Sequence, residues 1–249
     1  MKFNKLISSS ILISSLILSL PFAATAKNAV KEDFDYVALG DSLAAGQTPY
    51  KELKAGYPDY LASRFAQSQY NIELENYGFS GYRTTDILNE LYYPTNPKYA
   101  SLRASIKDAE LVTIGIGAND LLANLTKIQQ NPALAPGVIQ GIGNNLFAIL
   151  SEIDRIKPGT KVYVMGYYNP YPHLPEDQQA ALLPLLDGLN RVIETVALAN
   201  GDEFVPTAEL IKKYEKKYVP NPADIHLSLE GYEAIAKEFW KTYLKTRNS

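Results

Sequence analysis

The apolar and polar positions of the chain fall into two alternating periods. Residues 36–39, 111–116, 161–166 and 203–205 are short and nearly continuous in apolar side chains, as strands buried on both faces are. Residues 71–77 instead alternate Ile72, Leu74 and Tyr77 with polar neighbours, which reads as a fifth strand with one solvated face. Between these runs the spacing is helical. It predicts helices over 59–69, 84–92 (capped by Thr84 or Thr85), 101–109, 138–156, 176–200 and 228–245, with a further helix start or turn at 121–125. Pro158-Gly159 and Gly201 stop two of them, and residues 47–57, 167–175 and 214–222 read as loops.

Strands that alternate with helices imply a parallel sheet covered on both faces. The expectation is an α/β protein, a three-layer α/β/α sandwich on about five parallel strands. In such sheets the site lies beyond the carboxyl ends of the strands. There is no internal repeat and no low-complexity linker, so residues 27–249 are expected to form a single domain. Residues 1–26 differ in kind. Lys2 and Lys5 precede an apolar run over 6–22, and Ala24-Thr25-Ala26 fits a small-x-small cleavage site, the pattern of a signal peptide. The mature protein is therefore expected to be secreted, and no later segment to be of membrane-spanning length.

Composition narrows the chemistry. A net charge of −3 leaves no basic patch for nucleic acid. The chain has no cysteine, which removes disulfides, thiolate metal sites and a thiol nucleophile. Asp, Glu and His are too scattered to suggest a metal site.

Three strand ends carry the candidate chemistry. The first strand runs into Gly40-Asp41-Ser42-Leu43, which holds a hydroxyl at the end of a rigid element; alternatively, Asp41 or Ser42 caps a following helix. A serine needs a base, and the chain has two histidines. His226 stands in a loop just before the last helix, from which it can return to the sheet edge, and it is the favoured base. His173 sits in a Tyr/Pro loop suited to a pocket-lining or surface role. The amide of Asn119 and the backbone N–H groups of Gly78 and Ser42 are candidate donors to an oxyanion.

Taken in order, Gly40-Asp41-Ser42-Leu43, Gly78, Gly117-x-Asn119-Asp120 and Asp224-x-His226 resemble the blocks of the SGNH hydrolases, the GDSL lipase/esterase family, in its secreted bacterial form. The resemblance spans almost the whole mature chain. It implies a flavodoxin-like fold and hydrolysis of carboxylic esters without a cofactor. It also implies Ser42 as nucleophile, His226 as base and an oxyanion hole of Ser42, Gly78 and Asn119. One position departs from the family pattern: the aspartate usual three residues before the histidine is Ala223 here, and Asp224 stands two before. Either Asp224 orients His226, or a backbone carbonyl does so in a Ser-His dyad.

The expected partner is a small-molecule or lipid ester, with no stable membrane insertion after cleavage. Tyr82, Tyr167, Tyr168 and Tyr171 are expected to line the substrate pocket, where they can offer both ring faces and hydroxyls. The absence of a long apolar lid points to short-to-medium acyl chains. Acyl transfer to, or deacylation of, envelope glycans or lysophospholipids would use the same machinery. A secreted carbohydrate-binding module that kept the fold without the chemistry is the reading from another class.

Overall fold

In the computed structural model, which describes residues 32–247, five strands form one sheet: β1 (Glu32–Gly40), β2 (Tyr70–Gly78), β3 (Leu111–Gly115), β4 (Val162–Met165) and β5 (Glu203–Val205). The expected signal segment, 1–26, lies outside the described residues. All pairings are parallel, and the strand order is β2-β1-β3-β4-β5, the flavodoxin-like order. The apolar periods have a direct cause in this arrangement. β3 and β4 lie inside the sheet and are buried throughout, whereas β2 is an edge strand whose polar positions alternate outward. β1 is longer than its apolar core because Glu32 and Asp33 still pair with Tyr70 and Asn71 of β2.

Helices α1 (Tyr57–Gln67) and α9 (Leu229–Arg247) pack together, joined through α9 by the short helices α7 (Ala208–Lys212) and α8 (Glu215–Tyr218). Another group, α2 (Thr84–Tyr92), α3 (Leu102–Asp108), α4 (Ala118–Gln130) and α6 (Glu176–Ala199), gathers around α5 (Ala135–Ile156). The sheet thus carries helices on both faces. Two short helices were not expected: α7, and α8 inside the 214–222 loop. Each is too short to show a helical period in the sequence. α4 and α5 also begin earlier than their apolar residues indicate. Ala118-Asn119-Asp120, ahead of Leu121, form the first turn of α4, and a 3₁₀ turn at Pro132–Leu134 leads directly into α5 at Ala135.

The stretch Pro132–Ile156 has the length and apolarity to cross a bilayer, contrary to the expectation that no later segment would. Here it serves as a central helix. Ile142, Leu146, Ile149, Leu150 and Ile153 are buried. Glu152, also buried, is bonded by Arg155 and Arg103, which hold its carboxyl down at about 2 and so keep an ionised group tolerable on the inner face.

What places the site is a row of three glycines at the strand ends. Gly40 of β1 lies in register with Gly78 of β2 and Gly115 of β3. Gly40 has φ +152°, and a β-carbon on it would stand 2.6 Å from the Gly115 carbonyl oxygen. The close approach lets Asp41 N–H donate to that same carbonyl at 3.0 Å and turns the chain sharply at Ser42. Gly40→Ala is therefore expected to lower stability by about 2 kcal/mol or more through clash and backbone strain. Urea denaturation reads the effect, and an unchanged midpoint would contradict it.

Candidate active site

Ser42 stands in a hydrogen-bonded turn rather than at the head of a helix: Ala45 N–H returns to Asp41 O, and Gln47 N–H to Ser42 O. Its Oγ lies 2.8 Å from His226 Nε2. On the other side of the ring, His226 Nδ1 lies 2.6 Å from Asp224 Oδ1, which also accepts the His226 backbone N–H at 2.9 Å. The tight loop before α9 explains how an aspartate only two residues away can reach. Asn221 accepts the Ala223 N–H on its side chain and the Asp224 N–H on its carbonyl, which folds the Asp224 carboxylate back under the ring. Of the two alternatives for orienting His226, the carboxylate is the group facing Nδ1. With Nδ1 turned to a carboxylate, the neutral ring holds its proton there and leaves Nε2 free to accept from the serine. The Gln47 amide stands 3.5 Å from Nδ1, at the long limit of a hydrogen bond. His173 is elsewhere, bonded through Nε2 to Val219 O at 2.7 Å.

Asn119, in the first turn of α4, lines the same cleft as Ser42. One of its amide hydrogens goes to Tyr82 O at 2.9 Å, which fixes the side chain and leaves the second hydrogen without a partner among the described residues. A buried polar knot holds the helix start in place: Thr84 donates from N and Oγ1 to the two Asp120 oxygens, while Asn145 donates to Thr84 Oγ1. Thr84 is thus committed to Asp120 and is not the cap of α2. That place belongs to Arg83, whose N–H meets Asp86.

Gly78 departs from expectation. Its N–H is donated to Asn76 Oδ1 at 2.8 Å and so is not an unobstructed donor. What the glycine provides is space, since a β-carbon there would stand 2.4 Å from Ala45 N, in the turn that carries Ser42. Three residues on, Gly81 turns the loop at φ +86°, and no hydrogen bond engages its N–H among the described residues. Only Gly78's place in the sequence was readable; its partner Asn76 carried no signal.

Asp41 is a functional neighbour that sequence reasoning treated only as a cap. It is buried, and burial raises its carboxyl to about 6 against the lowering effect of bonds from Leu43 N–H at 2.9 Å and Tyr167 OH at 2.7 Å. Tyr167 is itself clamped at both backbone groups by the Asn190 side chain of α6, at 2.7 and 2.8 Å. So Tyr167 touches the cleft but spends its hydroxyl on Asp41. Tyr168 lines the cleft and donates to Ile225 O at 2.9 Å, beside His226, and Tyr171 lines it half-buried. Tyr82 does not line this cleft. Its ring stacks on Tyr99 and contacts Phe79, its hydroxyl meets Asn96 and Glu90, and only its carbonyl serves the site.

The cleft encloses about 760 Å³ of space including its open mouth, and eight leucines from α4 and α6 are among the residues that line it. Among the described residues no group of three His, Asp or Glu side chains could hold a metal ion. A hydroxyl, an imidazole and a carboxylate joined in this order can move a proton from an attacking serine to a leaving group.

A profile of the GDSL-like lipase/acylhydrolase family matches residues 38–234. No curated protein matches the sequence. Among solved structures, the lipase Lip_vut3 from a goat rumen metagenome is similar at a TM-score of 0.71 and 24% identity, covering 85% of this chain and 97% of that one. An extracellular lipase from Streptomyces rimosus gives 0.61 at 21% identity, over 85% and 99% of the two chains. A family 3 carbohydrate esterase from Clostridium thermocellum gives 0.62 at 19% identity, over 86% and 97%. At these identities the likenesses establish the shared fold.

Removing the Tyr167 hydroxyl leaves a buried carboxylate short of a donor, so Tyr167→Phe is expected to cost about 1–3 kcal/mol near pH 8. Asp41 in the folded protein already titrates above its ordinary value, near 6, so its contribution to stability declines as pH rises through that range. The lost bond lowers the carboxyl, and removing it steepens the decline. The cost measured by urea denaturation should therefore be larger at pH 8 than at pH 5; an equal cost at both would refute the coupling.

Proposed function

Given that the chain belongs to the GDSL-like lipase/acylhydrolase family, we propose that it hydrolyses carboxylic esters through an acyl-enzyme formed on Ser42. The observation that carries this reading is the unbroken relay from Ser42 Oγ through both nitrogens of His226 to Asp224. In the first half-reaction Ser42 Oγ attacks the ester carbonyl while His226 Nε2 takes its proton. Asp224 stabilises the imidazolium that forms, and His226 then gives the proton to the departing alcohol. Water attacks the acyl-enzyme in the second half, with His226 again as base, and the acid leaves with Ser42 restored.

The negative oxygen formed in each half is met by the Ser42 N–H and the free amide hydrogen of Asn119. For the third donor, the uncommitted N–H of Gly81 is better supported than that of Gly78, which is bonded to Asn76. Substrates are esters of short-to-medium acyl chains, a reading that the apolar walls beside Ser42 support. Tyr168 and Tyr171 flank that acyl group. Tyr167 acts from behind the nucleophile, by way of Asp41. Export follows from the residues 1–26, whose cleavage would leave Lys27 as the first residue of the mature protein, a result that N-terminal sequencing can read.

Assay of p-nitrophenyl esters on wild type, Ser42→Ala and Asp224→Asn tests the mechanism. Ser42→Ala should abolish turnover. Asp224→Asn should lower kcat by about 10²- to 10⁴-fold, because the imidazole loses its tautomer and its counter-charge. Near-wild-type turnover in Asp224→Asn, beside an inactive Ser42→Ala, would replace the triad with a dyad. Equal rates in wild type and Ser42→Ala would remove the serine mechanism altogether.

A further inference from the structure

From the groove beside Ser42 we infer that the enzyme is built for a linear acyl chain of about eight carbons, held between α4 and α6. The inference rests on the serine-hydrolase reading and specifies which esters that site prefers. On α4, Ala118, Leu121, Leu122 and Leu125 recur at the i, i+3, i+4, i+7 spacing of one helix face, and all four line the groove. On α6, Leu182, Leu185, Leu186 and Leu189 repeat the same spacing and line the opposite wall.

These leucines are not simply core. Leu121 and Leu189 are buried, but Leu122, Leu125, Leu182, Leu185 and Leu186 are only half-buried, so apolar surface is left facing an open channel. Scattered exposed leucines need no explanation, whereas two matched stripes facing one another across a cleft form a contiguous apolar patch, the kind that marks a binding groove. Among the described residues, the acidic and basic side chains lining the channel are Asp41 and His226, beside Ser42. The leucine faces of α4 and α6 therefore suit a hydrocarbon, while the polar lining groups, Asn119, Asn169 and the tyrosines, lie outside the two stripes.

The geometry also sets a length. Asn190, next to Leu189, holds Tyr167, whose hydroxyl meets Asp41 beside Ser42, so one end of the channel is at Ser42. Each stripe then covers two turns of helix, about 10 Å. A zig-zag of carbon–carbon bonds about 1.5 Å long advances about 1.3 Å per carbon, so roughly eight carbons fill that distance. An acetyl group would leave the channel empty, and a much longer chain would emerge past Leu125 into solvent.

The test is a p-nitrophenyl series from acetate to laurate on wild type, Leu186→Trp and Leu198→Trp, with octanoate binding measured calorimetrically on Ser42→Ala. Leu198 is an exposed residue farther along α6 and outside the groove, which makes it the control. In wild type, kcat/KM should climb by up to about fourfold per added methylene to octanoate and then level off or fall. Leu186→Trp, which fills the channel, should lower the octanoate-to-acetate ratio at least about tenfold, whereas Leu198→Trp should preserve it. The ratio is taken within one protein, so a partly folded variant does not distort it.

A Ser42-dependent series that is flat or falls from acetate would overturn the inference and leave the hydrolase reading intact. So would an unchanged ratio in Leu186→Trp. If every ester were inert, the hydrolase reading would fail separately. Octanoate binding to Ser42→Ala, weakened by adding Leu186→Trp, would still support the channel, and no binding would dismiss it.

Discussion

The site depends on one close approach of backbone to backbone. At the end of β1, Gly40 passes so near the carbonyl of Gly115 that no side chain fits between them. On the other side, Gly78 is pressed against the Ala44–Ala45 peptide with the same result. The chain leaving β1 is thus confined between its two neighbouring strand ends. It has to turn at Asp41-Ser42, and the serine is held where loops from distant parts of the chain can meet it. A side chain at either glycine would move Ser42 before it altered the imidazole or carboxylate that faces it.

Three carboxylates around that turn do different work because their partners differ. Asp224 faces an imidazole and lies in a loop shaped by Asn221. Asp120 is consumed by Thr84 and holds the first turn of α4, and with it Asn119, in register. Asp41 is the most buried of the three, and its partners are a backbone N–H and a tyrosine hydroxyl rather than a cation. Through Tyr167 and Asn190 it ties the Ser42 turn to α6, a wall of the cleft. The helix that lines the cleft is therefore linked mechanically to Ser42.

The family profile and the similar folds cover proteins described as lipases and as a carbohydrate esterase. A common sheet edge that presents a serine does not choose among such substrates. The walls do, and here they are built from helix faces and a tyrosine-rich loop. That is why the leucine stripes of α4 and α6 bear on this chain's own preference more directly than its likeness to other folds does.

By itself the sequence determined whatever local periodicity encodes. The bounds of α2 and β5 and the five-stranded parallel sheet follow from apolar spacing. The choice of His226 over His173 follows from chain position relative to the last helix. The pairing of Ser42, His226 and Asp224 was legible as residue types in order, though the departure at Ala223 left the third member open until the Asn221 turn was seen. Only the tertiary structure decided the rest, because those features depend on specific contacts or on segments too short for a period to record them. Asp41 and Tyr167 meet across 126 positions, and the Gly78 amide is claimed by Asn76. The Tyr82 ring is drawn away to Tyr99, and α7 and α8 are too short to carry a period. In sequence the α4 stripe falls on a helix start or turn at 121–125, and the α6 stripe on one long helix. That they form a channel is a fact about which faces the sheet brings together, and a period along one chain segment cannot hold that information.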